Sequence, residues 1–436
     1  ARPDERLAPP AALPYPRGML PAPGDTPFPT STHLGNDRPV LVRAEGCHVW
    51  DREGRRYLDA TSGAFCVTLG YTRPDLIEAM TRAAEWLPHA RPSRFDSEEA
   101  EAYRSELLVA AGPPFARVLL TSSGSEAVDA AIKVAIAYQR ALGRESRTAI
   151  RSLQGHYHGA TLGALGVTGW AERRAPWAAA LGPRLEGLLS GGAEETGREA
   201  AAFIAETIPT AGLGVEMPRP GALAERRARC DAAGALWIAD EVLTGFGRVG
   251  SLFAWRRLAD ERAEDAGAVP DLVVFGKGAG AGFAPLAGVL VAARVAKALE
   301  WAPGRGTGAL VEHQQSYGGN PIAAAVGRAV LRALVAGGYH DRARGMEGEL
   351  RAALAPSAAR VNSAIDGLGM LAGFGVAESA RGGAAAIVRA AAARGLLLHA
   401  AGPSRIVVAP PLAMTEADWS ELGEALEAAV RGEGSG

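Results

Sequence analysis

The chain has few of the residues on which several classes of protein depend. Its three cysteines, Cys47, Cys66 and Cys230, are too few and too widely spaced for a disulfide framework or a zinc site. We therefore expect reduced thiols in a cytoplasmic protein. No apolar run is long enough to cross a bilayer, and the proline-rich first 30 residues hold no signal-type apolar core. With a net charge of -2 and no basic run, the sequence predicts neither a nucleic-acid partner nor a membrane partner.

Lysine is also scarce, because arginine supplies all but three of the 46 basic residues. Lys133 and Lys297 lie in alanine-rich helical patterns, where a solvated helix face explains them. Lys277 instead follows the apolar run Leu272–Phe275 on a glycine-flanked turn. The carboxyl end of a strand is where α/β sheets bind ligands, and an amine there can form a Schiff base. An ordinary loop lysine explains this stretch equally well.

The order of strands and helices predicts an α/β protein. At 436 residues, the chain is long enough for two or three domains. From about residue 115, strands, glycine-bearing turns and helices alternate, which predicts a three-layer α/β/α domain with a mostly parallel sheet. We expect an N-terminal arm with a small antiparallel meander over 1–60, a large domain over 61–320 and a smaller α+β domain over 321–436. The predicted sheet strands are Arg117–Leu120, Thr148–Leu153, Ala201–Ala205, Ala235–Ala239, Leu272–Phe275 and Leu286–Ala292.

One candidate anion site is Ser123-Gly124-Ser125, between a predicted strand and the long helix predicted over Ser125–Leu142. Backbone N–H groups at a helix N-terminus, beside a glycine and two hydroxyls, suit a phosphate. Simple N-capping by Ser123 or Ser125 explains the same residues. Neither the Walker pattern nor GxGxxG is present at this junction.

A candidate aromatic contact lies in the turn from Gly155 to Gly159, which follows another predicted strand. Tyr157, close to glycines on both sides, can lie flat on a planar ligand. Its neighbours His156 and His158 are a possible metal pair. No third ligand of suitable spacing accompanies them, so we predict no metal site.

Two adjacent carboxylates, Asp240 and Glu241, end a further apolar strand. Consecutive strand residues point to opposite faces, so only one of the two can face a given site. A buried carboxylate needs a cationic partner. A protonated heterocyclic nitrogen would serve, and so would Arg248, eight residues further along the chain.

Together, these residues provide what a phosphate-bearing pyridine aldehyde requires: an anion pocket, a stacking aromatic, a carboxylate for the ring nitrogen and an amine. They belong to a series of motifs that extends over nearly the whole chain. The motifs are VWDREGRRYLDATSG (49–63), SGSEAVDAAIKVA (123–135), YHGATLGALGVTG (157–169), FIAE (203–206), IADEVLTGFGR (238–248), PDLVVFGKG (270–278), SYGGNP (316–321) and APPL (409–412). In this order and spacing, the sequence resembles the class III, or omega-type, pyridoxal-phosphate (PLP)-dependent aminotransferases of fold type I.

This resemblance implies roles by position. Lys277 would form the Schiff base with PLP and move protons at the substrate α-carbon. Asp240 would keep the pyridine nitrogen protonated, so that the ring accepts electrons. Tyr157 and Val242 would pack on the two ring faces. The other cofactor-binding residues that we predict are Ser123, Gly124, Ser125, His158, Glu206 and Ser316. Ser316 would reach the phosphate from a neighbouring subunit, which implies a homodimer with shared active sites.

Phe65 and Arg405 are the predicted substrate residues. Phe65 stands where bulkier aromatics often shape the pocket of the family. Glu206 opens the segment ETIPTAGL, where the family usually reads EPVQGAGG. In relatives that act on dicarboxylates or diamino acids, that glutamate pairs with an arginine, whose place is taken here by Val407. Arg405, two residues earlier on the same strand face, would bind a substrate carboxylate or be a surface arginine.

The resemblance implies an enzyme that passes an amino group from a small-molecule amino donor to a keto or aldehyde acceptor by a ping-pong mechanism. The altered segments ETIPTAG and HAAGPSR leave open another PLP-dependent reaction of the family. That reaction would be racemisation or epimerisation, an aminomutase reaction, or decarboxylation or other C–C bond modification. A non-enzymatic relative is disfavoured, because Lys277, Asp240 and Tyr157 are all present.

Overall fold

The computed structural model describes residues 39–181, 200–300, 313–377 and 382–432. The arm predicted for the first 30 residues lies outside these ranges. The strands are β1 Leu41–Glu45, β2 His48–Asp51, β3 Arg56–Asp59, β4 Phe115–Thr121, β5 Ala149–Ser152, β6 Ala200–Glu206, β7 Leu236–Asp240, β8 Leu272–Phe275, β9 Ala287–Ala292, β10 Ile365–Leu368, β11 Leu371–Gly375, β12 Leu396–Leu397, β13 His399–Ala401 and β14 Arg405–Val408. The helices are α1 Pro74–Trp86, α2 Glu98–Ala111, α3 Gly124–Ala141, α4 Leu162–Val167, α5 Ala171–Arg174, α6 Ala222–Ala233, α7 Ala254–Glu261, α8 Ala293–Glu300, α9 Pro321–Val335, α10 Tyr339–Gly345, α11 Glu347–Arg360, α12 Gly383–Ala392 and α13 Glu416–Arg431.

The large sheet has six strands in the order β4-β9-β8-β7-β6-β5. Strands β5 to β8 are parallel, whereas β9 is antiparallel to both of its neighbours. The predicted mostly parallel sheet is therefore confirmed, with one exception at β9. The connection from β8 to β9 contains a 3-10 turn but no crossover helix, and a parallel neighbour requires a crossover. Because β4 is antiparallel to β9, it runs in the same direction as β5 to β8. The carboxyl ends of these five strands therefore share one edge.

Both faces of this sheet are covered, which explains its uninterrupted apolar strands. Leu272 and Val274 pack into a cluster with the apolar residues of α3. Val273 and Phe275, on the opposite face, belong to the main core cluster, which also contains residues of α2, α6 and α9. The three-layer arrangement predicted from the sequence is confirmed.

Two smaller sheets accompany the large one. Strands β1, β2 and β3 form the predicted antiparallel meander, and β12 adds to it in parallel with β3. Strands β10, β11, β14 and β13 form an antiparallel sheet, near which α11 and α13 pack on each other. The boundaries at residues 60 and 320 stay a prediction. No single helix in the described ranges is long and apolar enough to span a membrane. One bent pair, Pro321–Val335 with Tyr339–Arg360, meets that test by length and composition.

Candidate active site

A cavity of about 190 Å³ opens at the edge of the large sheet where β4 to β8 end. It therefore lies where ligands bind in α/β sheets. The lining residues are the last residues of these strands and residues of the segments that follow them. They are Ser123, Gly124, Ser125, Tyr157, His158, Gly159, Glu206, Ile208, Ala211, Asp240, Val242, Leu243, Thr244 and Lys277.

Lys277 begins the 3-10 turn directly after β8. Its φ of 44° is left-handed, a conformation that non-glycine residues adopt only when their surroundings enforce it. Burial lowers the pKa of its amine, and the carboxyl groups of Asp240 and Glu206 oppose that shift. Within the described ranges, Lys277 takes part in no salt bridge. The amine is thus available to a ligand and is inclined to lose its proton.

Asp240 is held firmly at the end of β7. Its Oδ1 accepts the N–H of Val242 at 3.0 Å, and its Oδ2 lies 2.7 Å from Nδ1 of His158. A carboxylate only accepts, so His158 donates from Nδ1. Among the residues that the structure describes, Nε2 of this fully buried ring has no hydrogen-bond partner. The pair therefore presents a negatively charged carboxylate to the cavity.

Glu241 points away from the cavity, as expected for consecutive strand residues. It accepts Thr207 Oγ1 at 2.6 Å and the backbone N–H groups of Ala254 and Trp255, at 3.0 and 2.8 Å, which begin α7. Arg248 donates to carbonyls and hydroxyls and to neither carboxylate. The alternative explanation of Asp240, a salt bridge to Arg248, is therefore wrong.

The anion pocket predicted at Ser123-Gly124-Ser125 coincides with the first turn of α3. Ser123 and Glu126 form a capping box, so N-capping by Ser123 is real. Capping leaves the N–H groups of Gly124 and Ser125 without acceptors inside the helix. Ser125 Oγ accepts the N–H of Ala160 at 3.0 Å. A Cβ on Gly124 would lie 2.8 Å from Val242 Cγ1, so only glycine fits there without a shift.

Tyr157 and Glu206 are linked by a hydrogen bond from a backbone N–H group to a side-chain carboxyl group. The N–H of Tyr157 donates to Glu206 Oε2 at 2.9 Å, and the ring of Tyr157 packs edge-to-face on Trp170 at 6.4 Å. Burial raises the pKa of Glu206 to about 7, reinforced by nearby Asp240 and opposed chiefly by His158. His156 Nδ1 accepts the backbone N–H of Glu206 at 3.0 Å, so this buried ring is not a cation.

Three of the predicted residues lie outside the cavity lining. Phe65 is close, with its ring centroid 5.7 Å from Lys277 Nζ and 5.2 Å from the ring of His399. Arg405 donates to Val215 O at 2.9 Å and to Asp366 at 3.1 Å, and it forms no ion pair with Glu206. Ser316 is exposed on a turn. Their predicted roles as substrate and cofactor residues stay predictions.

The sequence did not single out five of the lining residues, namely Gly159, Ile208, Ala211, Leu243 and Thr244. Gly159, Leu243 and Thr244 lie inside the motifs quoted above, and Ile208 and Ala211 lie in the segment ETIPTAGL, but the motifs gave none of them a role. Apolar and hydroxyl side chains occur throughout the chain, so composition cannot mark them. Whether such a residue lines the cavity depends on the turns that bring it to the edge of the sheet.

The described residues fit PLP. Asp240 carries the charge that a protonated ring nitrogen needs, and the close approach of Gly124 to Val242 leaves room for no side chain beside the N-terminus of α3. Tyr157 and Val242 line the same cavity as that helix end and Lys277. An amine, a carboxylate, an anion pocket and an aromatic ring therefore surround one space.

Known proteins match most of the chain. The class III aminotransferase family matches residues 33–430. An acetylornithine aminotransferase of Xanthomonas campestris is 34% identical over 396 residues, which cover 88% of this chain and 90% of that protein. A second acetylornithine aminotransferase, from Xylella fastidiosa, is 35% identical over 408 residues, covering 90% and 92%.

Solved structures agree with these relatives. An amine transaminase from an uncultivated Pseudomonas species, in its PLP-bound form, superposes with a TM-score of 0.80 at 28% identity, covering 97% of this chain and 99% of that one. An (S)-enantioselective omega-transaminase from Thermomicrobium roseum gives a TM-score of 0.77 at 29% identity, covering 91% and 92%. The chain belongs to the class III aminotransferases and is a PLP-dependent enzyme that transfers amino groups between small molecules.

Proposed function

We propose that Lys277 is the residue of this aminotransferase that binds PLP covalently, and that amino donor and carbonyl acceptor react beside it in turn. The observation that carries the proposal is the shared cavity of Lys277, Asp240 and Gly124. Lys277 is the only lysine of the three that lies there. The chemistry needs an amine within reach of both an anion pocket and a buried carboxylate.

Each side chain has a separate task. PLP, when bound, supplies an electrophilic carbonyl carbon and a ring that accepts electrons. Asp240, oriented by His158, stabilises a proton on a ring nitrogen. Gly124 and Ser125 offer their N–H groups to a phosphate. The neutral form of Lys277, which burial favours, lets Nζ accept a proton from the substrate carbon and return it.

Borohydride reduction tests the assignment of Lys277. We expect reduction of the PLP-loaded enzyme to leave a pyridoxyl group on the peptide that contains Lys277 and on no other lysine peptide. A Lys277→Ala variant should take up no label, whereas Lys297→Ala, a helix-surface control, should be labelled like the wild type. Labelling at Lys133 or Lys297 would contradict the proposal.

The substrates are proposed to be a primary-amine donor and a keto or aldehyde acceptor. A panel of amino donors tests this proposal. It includes N-acetylornithine, which the names of two relatives suggest, and chiral amines. The measurement is the loss of the absorbance of lysine-bound PLP. A donor that removes this absorbance without acceptor supports transamination. Exchange of α-deuterium from an amino acid without keto-acid formation would instead support racemisation.

The active enzyme is proposed to be a homodimer. Ser316 is exposed and outside the cavity of its own chain, so a second copy is needed for its hydroxyl to reach a phosphate. Large apolar side chains are exposed near this turn, among them Phe95 and Tyr317, at 67% and 65%. Burial of such side chains is typical of subunit interfaces. The cytoplasmic location stays a prediction.

A further inference from the structure

The side chain of Arg248 is fully buried and forms hydrogen bonds without a carboxylate. Its Nη1 donates to the carbonyl oxygens of Pro410 at 2.6 Å and Met370 at 3.2 Å. Its Nη2 donates to Ser62 Oγ at 3.0 Å and, more weakly, to Thr68 Oγ1 at 3.4 Å. Across the residues that the structure describes, it joins no ion pair. An unpaired buried charge destabilises a fold, so fold stability alone is a poor explanation for this arginine.

The two hydroxyl acceptors mark the ends of one loop, Ser62–Thr68. Within it, Ser62 has φ 51° and Phe65 has φ 65°, both left-handed. Residues other than glycine keep this conformation only when neighbouring groups enforce it. The ring of Phe65 lies over Nζ of Lys277, at 5.7 Å from its centroid. Arg248 therefore fastens both ends of the loop whose middle residue covers the lysine.

We propose that Arg248 is a positioning residue for the reaction at Lys277. It holds the loop Ser62–Thr68 against the carbonyl of Pro410, so that Phe65 stays over the amine and forms a fixed wall for the substrate. This role rests on the proposed function of Lys277. Arg248 itself lines no part of the cavity and contacts neither reactant.

The positioning role is tested in the PLP-loaded enzyme with Arg248→Lys and Ser62→Ala, which remove hydrogen bonds between Arg248 and the loop. Lysine keeps the charge but cannot span all four acceptors. Ser62→Ala removes two hydrogen bonds, the one that Ser62 Oγ accepts from Arg248 and the one that it donates to Ala409 O at 2.7 Å. We expect both variants to raise KM for the amine by at least about 2- to 10-fold, the range for one lost hydrogen bond, with kcat changed less than KM. Alkylation of Cys66 by iodoacetamide should accelerate by a similar factor. Cys47 and Cys230 are buried and provide internal references.

Arg351 provides the matched control. It donates to two carbonyls, Ile365 O at 3.0 Å and Gly367 O at 2.7 Å, away from the loop. Arg351→Lys should leave KM and the alkylation of Cys66 unchanged. If Arg248→Lys and Ser62→Ala fold and match the wild type in both measurements, the positioning role is refuted.

Borohydride labelling of the wild type runs in parallel, so a failure of the Lys277 assignment is recognised separately.

Discussion

At the scale of single residues, two neighbouring carboxylates have different functions. Asp240 and Glu241 adjoin in sequence, yet only Asp240 faces the cavity, while Glu241 caps the N-terminus of α7. Glu241 directly follows the last residue of β7, and its N–H still donates to Val274 O, so the two successive side chains point to opposite faces. Asp240 therefore serves the active site, whereas the next residue, Glu241, stabilises the fold.

Asp240→Asn should lower kcat by about 100-fold or more, because it removes the charge that stabilises a protonated ring nitrogen. Stability should change little, since asparagine can still accept the N–H of Val242. The measurement is single-turnover absorbance with excess amine. Asp231→Asn, on the exposed side of α6, is the control and should retain wild-type rates. Equal rates for Asp240→Asn and the wild type would contradict the assignment.

Glu206 should make stability depend on pH. Its pKa rises from about 4.5 in the unfolded chain to about 7 in the folded one, so the folded state binds the extra proton between these values. The stability due to this group is present below pH 4.5 and is lost as pH rises through 7. Glu206→Gln removes this dependence. From pH 5 to pH 8, the wild type should lose ~2–3 kcal/mol relative to the variant in urea unfolding of cofactor-free protein. If the difference in the free energy of unfolding between wild type and Glu206→Gln is the same at pH 5 and pH 8, the raised pKa of Glu206 is contradicted.

At the scale of elements, the site depends on how closely α3 and the turn after β7 approach. The capping box of Ser123 and Glu126 begins the helix, and Gly124 then lies against Val242. The local sequence accounts for the N-cap at Ser123. The need for glycine at position 124 comes instead from packing between two turns that are over 100 residues apart in the chain.

Gly124→Ala should weaken PLP binding about 10-fold or more and lower stability by ~1–3 kcal/mol, because its Cβ would meet Val242 Cγ1 at 2.8 Å. The double variant Gly124→Ala/Val242→Ala removes the opposing methyl groups and should recover part of the affinity. Gly345→Ala, which has open space around it, is the control. Fluorescence titration with PLP measures the affinity. Failure of the double variant to recover any affinity would show that the contact is not the cause.

At the scale of the whole molecule, the proposed shared site has a quantitative consequence. Ser316→Ala alone should weaken PLP binding about 10-fold or more, as expected for a lost hydroxyl-to-phosphate hydrogen bond. Lys277→Ala alone should be inactive. In a mixed dimer of the two variants, one site carries both changes and the other carries neither. Random mixing should therefore restore roughly one quarter of wild-type activity at low PLP.

Separate active sites would give a different result, because mixing would then restore no activity. Size-exclusion chromatography with light scattering of the wild type provides the companion measurement, for which we expect twice the chain mass of 45.0 kDa. A monomer that is fully active would contradict the dimer proposal.

The sequence alone determined the order of the elements, the layer order and the family. Leu272–Phe275 has the predicted bounds and is apolar without interruption because both faces of β8 are covered, whereas the limits of the other five predicted sheet strands differ from the observed ones by one or two residues. Local periodicity and turn residues encode these features. The scarcity of lysine then directed attention to Lys277.

Only the tertiary structure decided which side chains meet. It pairs Asp240 with His158, 82 residues away, although Arg248 was nearer in sequence. It binds Arg405 to Asp366 rather than to Glu206, and it directs Arg248 to the loop beside Lys277. Such pairings depend on strand order and on the direction of each turn. Local pattern carries no information about either, because the contacts form between segments that are distant in the chain.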